Sequence, residues 1–250
     1  MNLNFGGKKT TRMDVAKQVI NEFVAGNGKT LKGRPNDLIG IITFARFADT
    51  VCPLTLGHKA LISINDEIRI NDEPNEDGTA YGDAAALAAA RLKMLEYAGK
   101  EGKSDIGDVK SKIIILLTDG ENNCGRHLPL EAAAMAKAWG IKIYTISLGE
   151  KQSGITRKVN GREISLPAAL SATDLLLSKM ADMTGGIFRR AFDYDTLQKV
   201  YDEIDKLEKS EVKTTLYKDY RSCYHIFIAA ALALLFFELI LNNTILRRLT

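Results

Sequence analysis

The sequence has few residues of the types that build zinc sites, disulfide frameworks and histidine-dependent catalysis. Its 250 residues include 3 cysteines and 3 histidines. Cys52, Cys124 and Cys223 lie far apart and form no CxxC pair, so neither a zinc site nor a disulfide framework is indicated. The motifs GxGxxG, GxSxG and HExxH do not occur. We therefore expect no catalytic residue, and we expect that the protein is not an enzyme.

The charges are balanced, and the first residues do not resemble a signal peptide. Lysine and arginine number 34 against 31 aspartate and glutamate residues, for a net charge of +3. Nucleic-acid-binding surfaces carry clustered basic residues instead, so we expect no nucleic-acid partner. The start, MNLNFGGKK, contains no apolar run of the signal-peptide kind. With 46% hydrophobic residues, the chain can form a folded domain with its own core.

Helical and strand patterns alternate up to about residue 190, which favours a mainly parallel sheet flanked by helices. The uninterrupted apolar run at residues 113–117 is the clearest central strand. Residues 38–44 form a second short run rich in β-branched residues, typical of a buried parallel strand. Between them, residues 83–97 are rich in alanine and predict a helix. We predict an α/β fold.

The C-terminal segment has a different composition. Nearly every residue from 223 to 241 is apolar, with His225 and Glu238 as the exceptions. At about 1.5 Å per residue, a helix of about nineteen residues spans about 28 Å, which is close to the hydrocarbon thickness of a bilayer. We predict a transmembrane helix over residues 223–246. The alternative is a buried terminal helix or a contact between subunits.

Two loops carry side chains that are well placed for a site. Asp119 follows the apolar run 113–117, and open α/β sheets place ligands at the carboxyl ends of such strands. The alternative is that Asp119 only caps a turn before Gly120. Thr79 precedes the alanine-rich helix and Asp83 lies in its first turn, with helix capping as the alternative for both. A hydroxyl and a carboxylate are hard oxygen ligands that suit Mg²⁺ or Ca²⁺ and not zinc.

The run KIIILLTDGENN at residues 112–123 resembles the von Willebrand factor A-type (VWA) domains of the bacterial Bat (aerotolerance-type) membrane proteins. The loop DGTAYGD at residues 77–83 is the other specific match. Further matches extend the resemblance over nearly the whole chain: DLIGIITF at 37–44, PLT at 53–55, GIKIYTI at 140–146, TGGIFR at 184–189 and IDKLE at 204–208. The resemblance implies a Rossmann-like sheet flanked by helices.

The resemblance also implies a metal-ion-dependent adhesion site. In the family, an Asp-x-Ser-x-Ser segment after the first strand, a threonine and a second aspartate surround a divalent cation, and an acidic side chain of a protein partner completes the shell. Thr79 matches the family's threonine, and Asp119 matches its second aspartate. The Asp-x-Ser-x-Ser segment has no counterpart in this chain. We therefore expect Mg²⁺ or another divalent cation in the complete protein, and weak or no binding by the 250 residues alone.

The family's first strand has no counterpart either. The run TRMDVAK at residues 11–17 matches the start of the first family helix, so residues 1–10 correspond to the remainder of the preceding loop. The family places that strand in the middle of the sheet, so its absence predicts unpaired backbone groups on both neighbouring strands. We interpret the sequence as a truncation or a misassigned start codon. In-frame DNA upstream is expected to encode an apolar strand followed by Asp-x-Ser-x-Ser.

The sequence thus predicts a VWA binding module at a membrane, acting by metal-dependent protein–protein interaction in a bacterial envelope complex, with the domain on the extracytoplasmic side. The alternatives are a Mg²⁺-dependent phosphoryl-transfer or nucleotide-binding enzyme, and a metal-independent scaffold. The predicted parts are the loop remainder at 1–10, the VWA domain at 11–211, a juxtamembrane linker at 212–222, the transmembrane helix at 223–246 and a basic tail at 247–250.

Overall fold

The computed structural model describes residues 2–5, 8–70, 77–100, 111–149, 155–159, 162–166 and 171–211, together with Leu232, Leu234 and Leu235. The chain divides into two units, residues 1–212 and 213–250. In the second unit the three described leucines are helical and exposed. Within the described ranges, no helix has both the length and the apolarity for a membrane crossing. The rest of the predicted span at 223–246, the linker at 212–222 and the tail at 247–250 lie outside the described residues.

Strands and helices alternate along the first unit. The strands are β1 (Asn2–Phe5), β2 (Lys8–Thr11), β3 (Ile39–Phe44), β4 (Ala48–Thr55), β5 (Ile113–Thr118), β6 (Lys142–Leu148), β7 (Ile155–Val159), β8 (Arg162–Leu166) and β9 (Phe188–Ala191). The helices are α1 (Arg12–Ala25), α2 (His58–Glu67), α3 (Tyr81–Lys100), α4 (Pro129–Ala138), α5 (Ala172–Thr184) and α6 (Tyr194–Glu211). The α/β class expected from the sequence is confirmed.

The strands form several small sheets. The strands β5, β6 and β9 make a parallel sheet in the order β5–β6–β9, and β3 pairs antiparallel with β4 in a separate sheet. Within the described ranges, the hairpins β1–β2 and β7–β8 each pair only within themselves. The parallel part is therefore smaller than the sequence suggested. Residues 1–10 were expected as the remainder of a loop, and residues 2–5 and 8–11 form a hairpin.

Capping residues set the ends of the helices that flank the sheet. Thr11 begins α1: its hydroxyl accepts a hydrogen bond from the Asp14 amide at 3.1 Å, and the Asp14 carboxylate accepts from the Thr11 amide at 3.0 Å. This reciprocal capping satisfies two amides that the helix leaves unpaired. Ser171 and Asp174 cap α5 in the same way. Gly185 ends α5 in a left-handed conformation with a φ of 79°, which glycine adopts without strain.

Two layers of helices cover the strands. Tyr81, Ala85 and Ala89 of α3 share a core cluster with Ile114 and Leu116 of β5. On the opposite face, apolar residues of α1 and α6 share a cluster with the intervening β5 residues Ile113, Ile115 and Leu117. The alternation follows from the two-residue period of a strand. The helix α3 also packs on β3 through Phe44, and Ile39 and Ile41 of β3 share a third cluster with Leu61 of α2 and Val24 of α1.

Among the described residues, β3 and β5 belong to different sheets, and no backbone hydrogen bond joins them. None of the β3 residues is buried, and only alternate residues of β5 are. The prediction that residues 38–44 form a buried parallel strand is therefore wrong in both respects: the described partner of β3 is β4, which runs antiparallel, and the β3 side chains stay partly accessible.

Buried ion pairs hold the last elements in place. Arg190 of β9 is paired with Asp174 of α5, whose side chain is 4% exposed. Arg34 contacts Asp205 of α6 at 2.9 Å. Near the end of α6, the Glu208 carboxylate accepts hydrogen bonds from the Ser111 hydroxyl at 2.6 Å and from the Tyr144 hydroxyl. These contacts join α5 to β9, and α6 to β6 and to the loops before β3 and β5. Removing one partner would leave a buried charge or polar group uncompensated.

Candidate functional site

Asp119 lies where the sequence analysis expected it, directly after β5. Its carboxylate is 59% exposed at the carboxyl edge of the parallel sheet, and Arg12 at the start of α1 approaches it with an Nη1–Oδ2 distance of 3.4 Å. The guanidinium group partly neutralises the carboxylate. Asp119 is thus accessible to a cation from solvent, although the positive charge of Arg12 lies next to its carboxylate.

The loop before α3 holds Thr79 against the loop after β5. The Thr79 amide donates a hydrogen bond to Asn123 Oδ1 at 2.8 Å, and the Thr79 carbonyl accepts one from the Asn123 amide at 3.0 Å. A Cβ atom built on Gly120 would lie 3.1 Å from Thr79 Oγ1, so the hydroxyl group rests against the residue that follows Asp119. The structure therefore brings the two sequence-predicted site loops together.

Asn122 and Asn123 connect these loops, a role that we did not assign from the sequence. Asn122 Oδ1 accepts a hydrogen bond from the Gly82 amide at 2.9 Å, and its Nδ2 donates to the Cys124 carbonyl at 3.2 Å. A Cβ atom on Gly82 would lie 2.2 Å from the His127 carbonyl oxygen, so only glycine allows this approach. The two asparagines of the run TDGENN were the sequence signal for this role, because a side-chain amide can both donate hydrogen bonds to a second loop and accept them from it.

Asp83 has a different role from the helix-start stabilisation expected from sequence. Its carboxylate accepts hydrogen bonds from the Arg126 amide at 2.9 Å, from the His127 amide at 2.7 Å and from the His127 ring at 2.8 Å. Burial alone would raise the pKa of Asp83, but the bonds from His127 and Arg126 outweigh it and lower the pKa below the ordinary value. Asp83 thus braces residues 125–127, and these contacts use its carboxylate oxygens.

The donor set fits part of a divalent-cation site. Thr79 and Asp119 offer a hydroxyl and a carboxylate, the oxygen ligands that Mg²⁺ accepts. Six-coordinate Mg²⁺ would take most of its remaining ligands from water or from other protein groups. Among the described residues, no group of three or more histidine, cysteine, aspartate or glutamate side chains is arranged to hold a metal. Two oxygen donors on their own do not complete the coordination shell of such a cation.

A sequence model described as "von Willebrand factor type A domain" matches residues 2–121 of this chain. Those residues contain both candidate site loops, and the expected α/β architecture extends beyond them to α6. The chain contains a VWA domain. Members of this family often mediate metal-dependent interactions, and they are typically interaction modules and not enzymes.

Similar proteins point to the Bat group within the VWA family. The structure of BatB from Bacteroides thetaiotaomicron is 25% identical, covers 79% of this chain and 89% of that chain, and superimposes with a TM-score of 0.55. The structure of an aerotolerance-related membrane protein from Bacteroides fragilis is 24% identical, covers 78% of this chain and 89% of that chain, and has a TM-score of 0.53.

A curated relative from Borreliella burgdorferi, described as an uncharacterized protein, is 25% identical over 247 residues. The alignment covers 95% of this chain but 64% of that relative. The chain therefore spans less than two thirds of the length of that relative.

Proposed function

We propose that this VWA domain binds a protein partner through a divalent cation held by Thr79 and Asp119, with Mg²⁺ as the first candidate. The observation that supports this is the meeting of the two loops at the carboxyl edge of the sheet, where Thr79 rests against Gly120 and Asp119 is exposed. An exposed cation with open coordination positions attracts an acidic side chain of a partner. The recognition is then electrostatic and directional, without any chemical step.

We also propose that residues 223–246 anchor the protein in a membrane, with the VWA domain on the extracytoplasmic side. The support is the apolar composition of the segment, its three exposed helical leucines, and the similarity to a membrane protein from Bacteroides fragilis. A membrane-anchored interaction module is suited to an assembly of envelope proteins, and we propose that this protein acts in such a complex.

Divalent-cation titrations test the proposed site. The 250-residue chain should bind Mg²⁺, Mn²⁺ and Zn²⁺ weakly or not at all, because two protein oxygens from separate loops leave most of the coordination shell to water. Placing an apolar strand followed by Asp-x-Ser-x-Ser ahead of residue 11 adds one carboxylate and two hydroxyls, and calorimetric affinity should rise by about tenfold or more.

Asp119→Ala in the extended protein should reduce that affinity to the level of the short chain, since it removes the exposed carboxylate. Asp195→Ala is the matched control, because Asp195 is an exposed carboxylate in the first turn of α6, and its loss should leave the affinity unchanged. Tight binding by the short chain would contradict the proposal. Equal affinities of the extended protein with and without Asp119 would contradict it too.

The Arg12–Asp119 ion pair favours a second candidate, a metal-independent binding module in which Arg12 takes the place of the cation. The two candidates differ in the expected effect of Arg12→Gln, which removes the positive charge but keeps a polar side chain. If a cation must displace Arg12, the extended protein with Arg12→Gln should bind Mg²⁺ more tightly, by about two- to tenfold for one nearby charge at a partly exposed site. A partner that binds with chelator present, and is lost in Arg12→Gln, would instead establish the metal-independent module.

A further inference from the structure

The amino edge of the parallel sheet is marked by contacts of α6. Near the end of this helix, Glu208 accepts a hydrogen bond from Ser111, just before β5, and Lys142, the first residue of β6, approaches it with an Nζ–Oε1 distance of 3.5 Å. One turn earlier, Asp205 pairs with Arg34 of the segment that follows α1. The candidate cation site lies at the carboxyl edge, which is the opposite end of the sheet.

Four exposed lysines lie at this amino edge: Lys29, Lys32, Lys59 and Lys137. The first two belong to the loop after α1. The third is in the first turn of α2, beside His58, whose ring is hydrogen-bonded to the Asp37 carbonyl at 2.8 Å. The fourth is in the last turn of α4, near Trp139, whose carbonyl accepts a hydrogen bond from the Lys112 side chain at 2.8 Å.

The carboxylates of this edge are mostly engaged by other cations. Arg34 contacts Asp37 at 2.7 Å, and Lys206 contacts Asp202 at 2.6 Å. Asp182, in the last turn of α5, is exposed as well. Within the described ranges, none of the four lysines takes part in an ion pair. Their positive charges therefore face solvent with little compensation from the protein.

The chain leaves α6 at this edge and continues into a basic stretch. Residues 212–222 contain Lys213, Lys218 and Arg221 against one acidic residue, Asp219, and the apolar segment follows directly. Basic residues next to a membrane anchor are attracted to anionic lipid headgroups. The sequence after α6 thus has the same charge preference as the amino edge.

We propose that the four lysines, which we call the basic edge, hold the VWA domain on an anionic lipid surface. The choice of lipid over another polyanion rests on the proposed membrane anchor, since a short tether at residues 212–222 keeps a bilayer at high effective concentration. Each lysine near an anionic surface strengthens such binding by about fivefold. A domain resting on its basic edge presents Thr79 and Asp119 away from the bilayer, where a protein partner can reach them.

Acylation of lysines on the full chain in lipid vesicles tests the proposal. One set of vesicles is phosphatidylcholine alone, and the other contains phosphatidylcholine and phosphatidylglycerol in equal amounts. Mass spectrometry gives the labelling rate of each lysine relative to Lys199, which is exposed in the first half of α6. Phosphatidylglycerol should slow labelling of the four lysines by about fivefold or more. About 1 M salt should abolish the difference, because it shortens the Debye length to about 3 Å.

Two double variants separate the basic edge from the total charge of the domain. Lys29→Gln with Lys32→Gln removes two charges from the edge and should reduce the protection of its other two lysines by about fivefold or more. Arg126→Gln with Lys179→Gln is the matched control, because it removes the same charge from exposed positions outside the edge. The control should leave the protection of all four lysines unchanged.

Three results would overturn the proposal. The first is equal labelling of the four lysines in the two kinds of vesicle at low salt. The second is protection that about 1 M salt leaves unchanged, since charge would then not be its cause. The third is equal protection by duplex DNA added to vesicles of phosphatidylcholine alone, because the edge would then bind any polyanion.

Flotation of the same samples reports on the proposed anchor separately. A chain anchored by residues 223–246 floats with both kinds of vesicle at high salt. A chain that floats only with phosphatidylglycerol vesicles at low salt, with the four lysines protected, lacks the anchor but keeps the lipid-binding edge. Flotation with both kinds at high salt, without any difference in labelling at low salt, supports the anchor and rejects the basic edge.

Discussion

Deletion of residues 223–246 should move the protein from the membrane fraction to the soluble fraction. Each leucine or phenylalanine near the centre of a spanning helix contributes about half a kcal/mol to insertion, and the run holds enough of them to outweigh the cost of Glu238. The measurement is fractionation of cells that produce the full and the shortened chain, followed by alkaline extraction of the membranes. Full-length protein that stays soluble without detergent would exclude the anchor.

Two triple variants at the described leucines of the segment, one to lysine and one to isoleucine, form a matched pair. Replacing Leu232, Leu234 and Leu235 by lysine adds about 3 kcal/mol per residue to the cost of insertion, which exceeds what the remaining apolar residues return. The same positions changed to isoleucine keep the apolarity and should keep the protein in the membrane. If the lysine variant also stays membrane-bound, the VWA domain and not the segment carries the attachment.

Asp174→Ala should destabilise the VWA domain by about 3 kcal/mol, the low end of the cost of breaking a buried ion pair. The substitution leaves the Arg190 guanidinium without its carboxylate and removes the cap that Asp174 and Ser171 form at the start of α5. Thermal unfolding followed by circular dichroism measures the change. A loss below about 1 kcal/mol, the range of exposed pairs, would show that the pair contributes little.

The neighbouring Arg189–Glu203 pair is the control, because both of its side chains are at least 40% exposed. Glu203→Ala should cost about 1 kcal/mol or less, since solvent screens the interaction. The contrast between adjacent arginines isolates the effect of burial. The double variant Asp174→Leu with Arg190→Met should recover part of the stability, because an apolar pair leaves no buried charge uncompensated.

The same pair predicts a loss of stability in acid. Burial opposes the charge on Asp174, but the hydrogen bonds from Arg190 and Ser171 outweigh it and lower the pKa from 3.8 to about 2. A carboxyl group whose pKa is lower in the folded state stabilises the fold above its unfolded pKa. That contribution, about 2 kcal/mol, disappears as the pH falls from about 4 towards 2. Asp174→Ala should flatten the pH dependence of the free energy of unfolding between about pH 4 and about pH 2. An unchanged slope would show that other carboxylates cause this pH dependence.

Local features of the sequence were sufficient to predict the class of fold and the ends of several elements. An apolar run of about six residues indicates a strand buried on both faces, and apolar residues at a helical period indicate a helix buried on one face. The run 113–117 became β5, and Gly185 ends α5, because left-handed backbone at a helix end favours glycine. The sequence also holds a local hairpin signal between β7 and β8, Asn160-Gly161.

The candidate site was predicted in part. Asp119 and Thr79 were found from their positions at the end of a strand and the start of a helix, which are local properties. The contacts that join their loops are not local: Asn123 reaches Thr79, Asn122 reaches Gly82, and Asp83 reaches residues 126–127. Each bond closes more than thirty residues of chain, so no sequence window contains both partners.

Tertiary structure alone decided how the strands are paired. The run 38–44 has the composition of a strand buried on both faces, but its burial depends on which strands lie beside it, and composition does not specify neighbours. Among the described strands, β3 pairs antiparallel with β4, and β5 pairs parallel with β6. The sequence by itself determined an α/β VWA domain with two candidate site loops and an apolar C-terminal segment. The three-dimensional arrangement decided which strands lie beside each other, because hydrogen bonding between strands is a relation between distant segments.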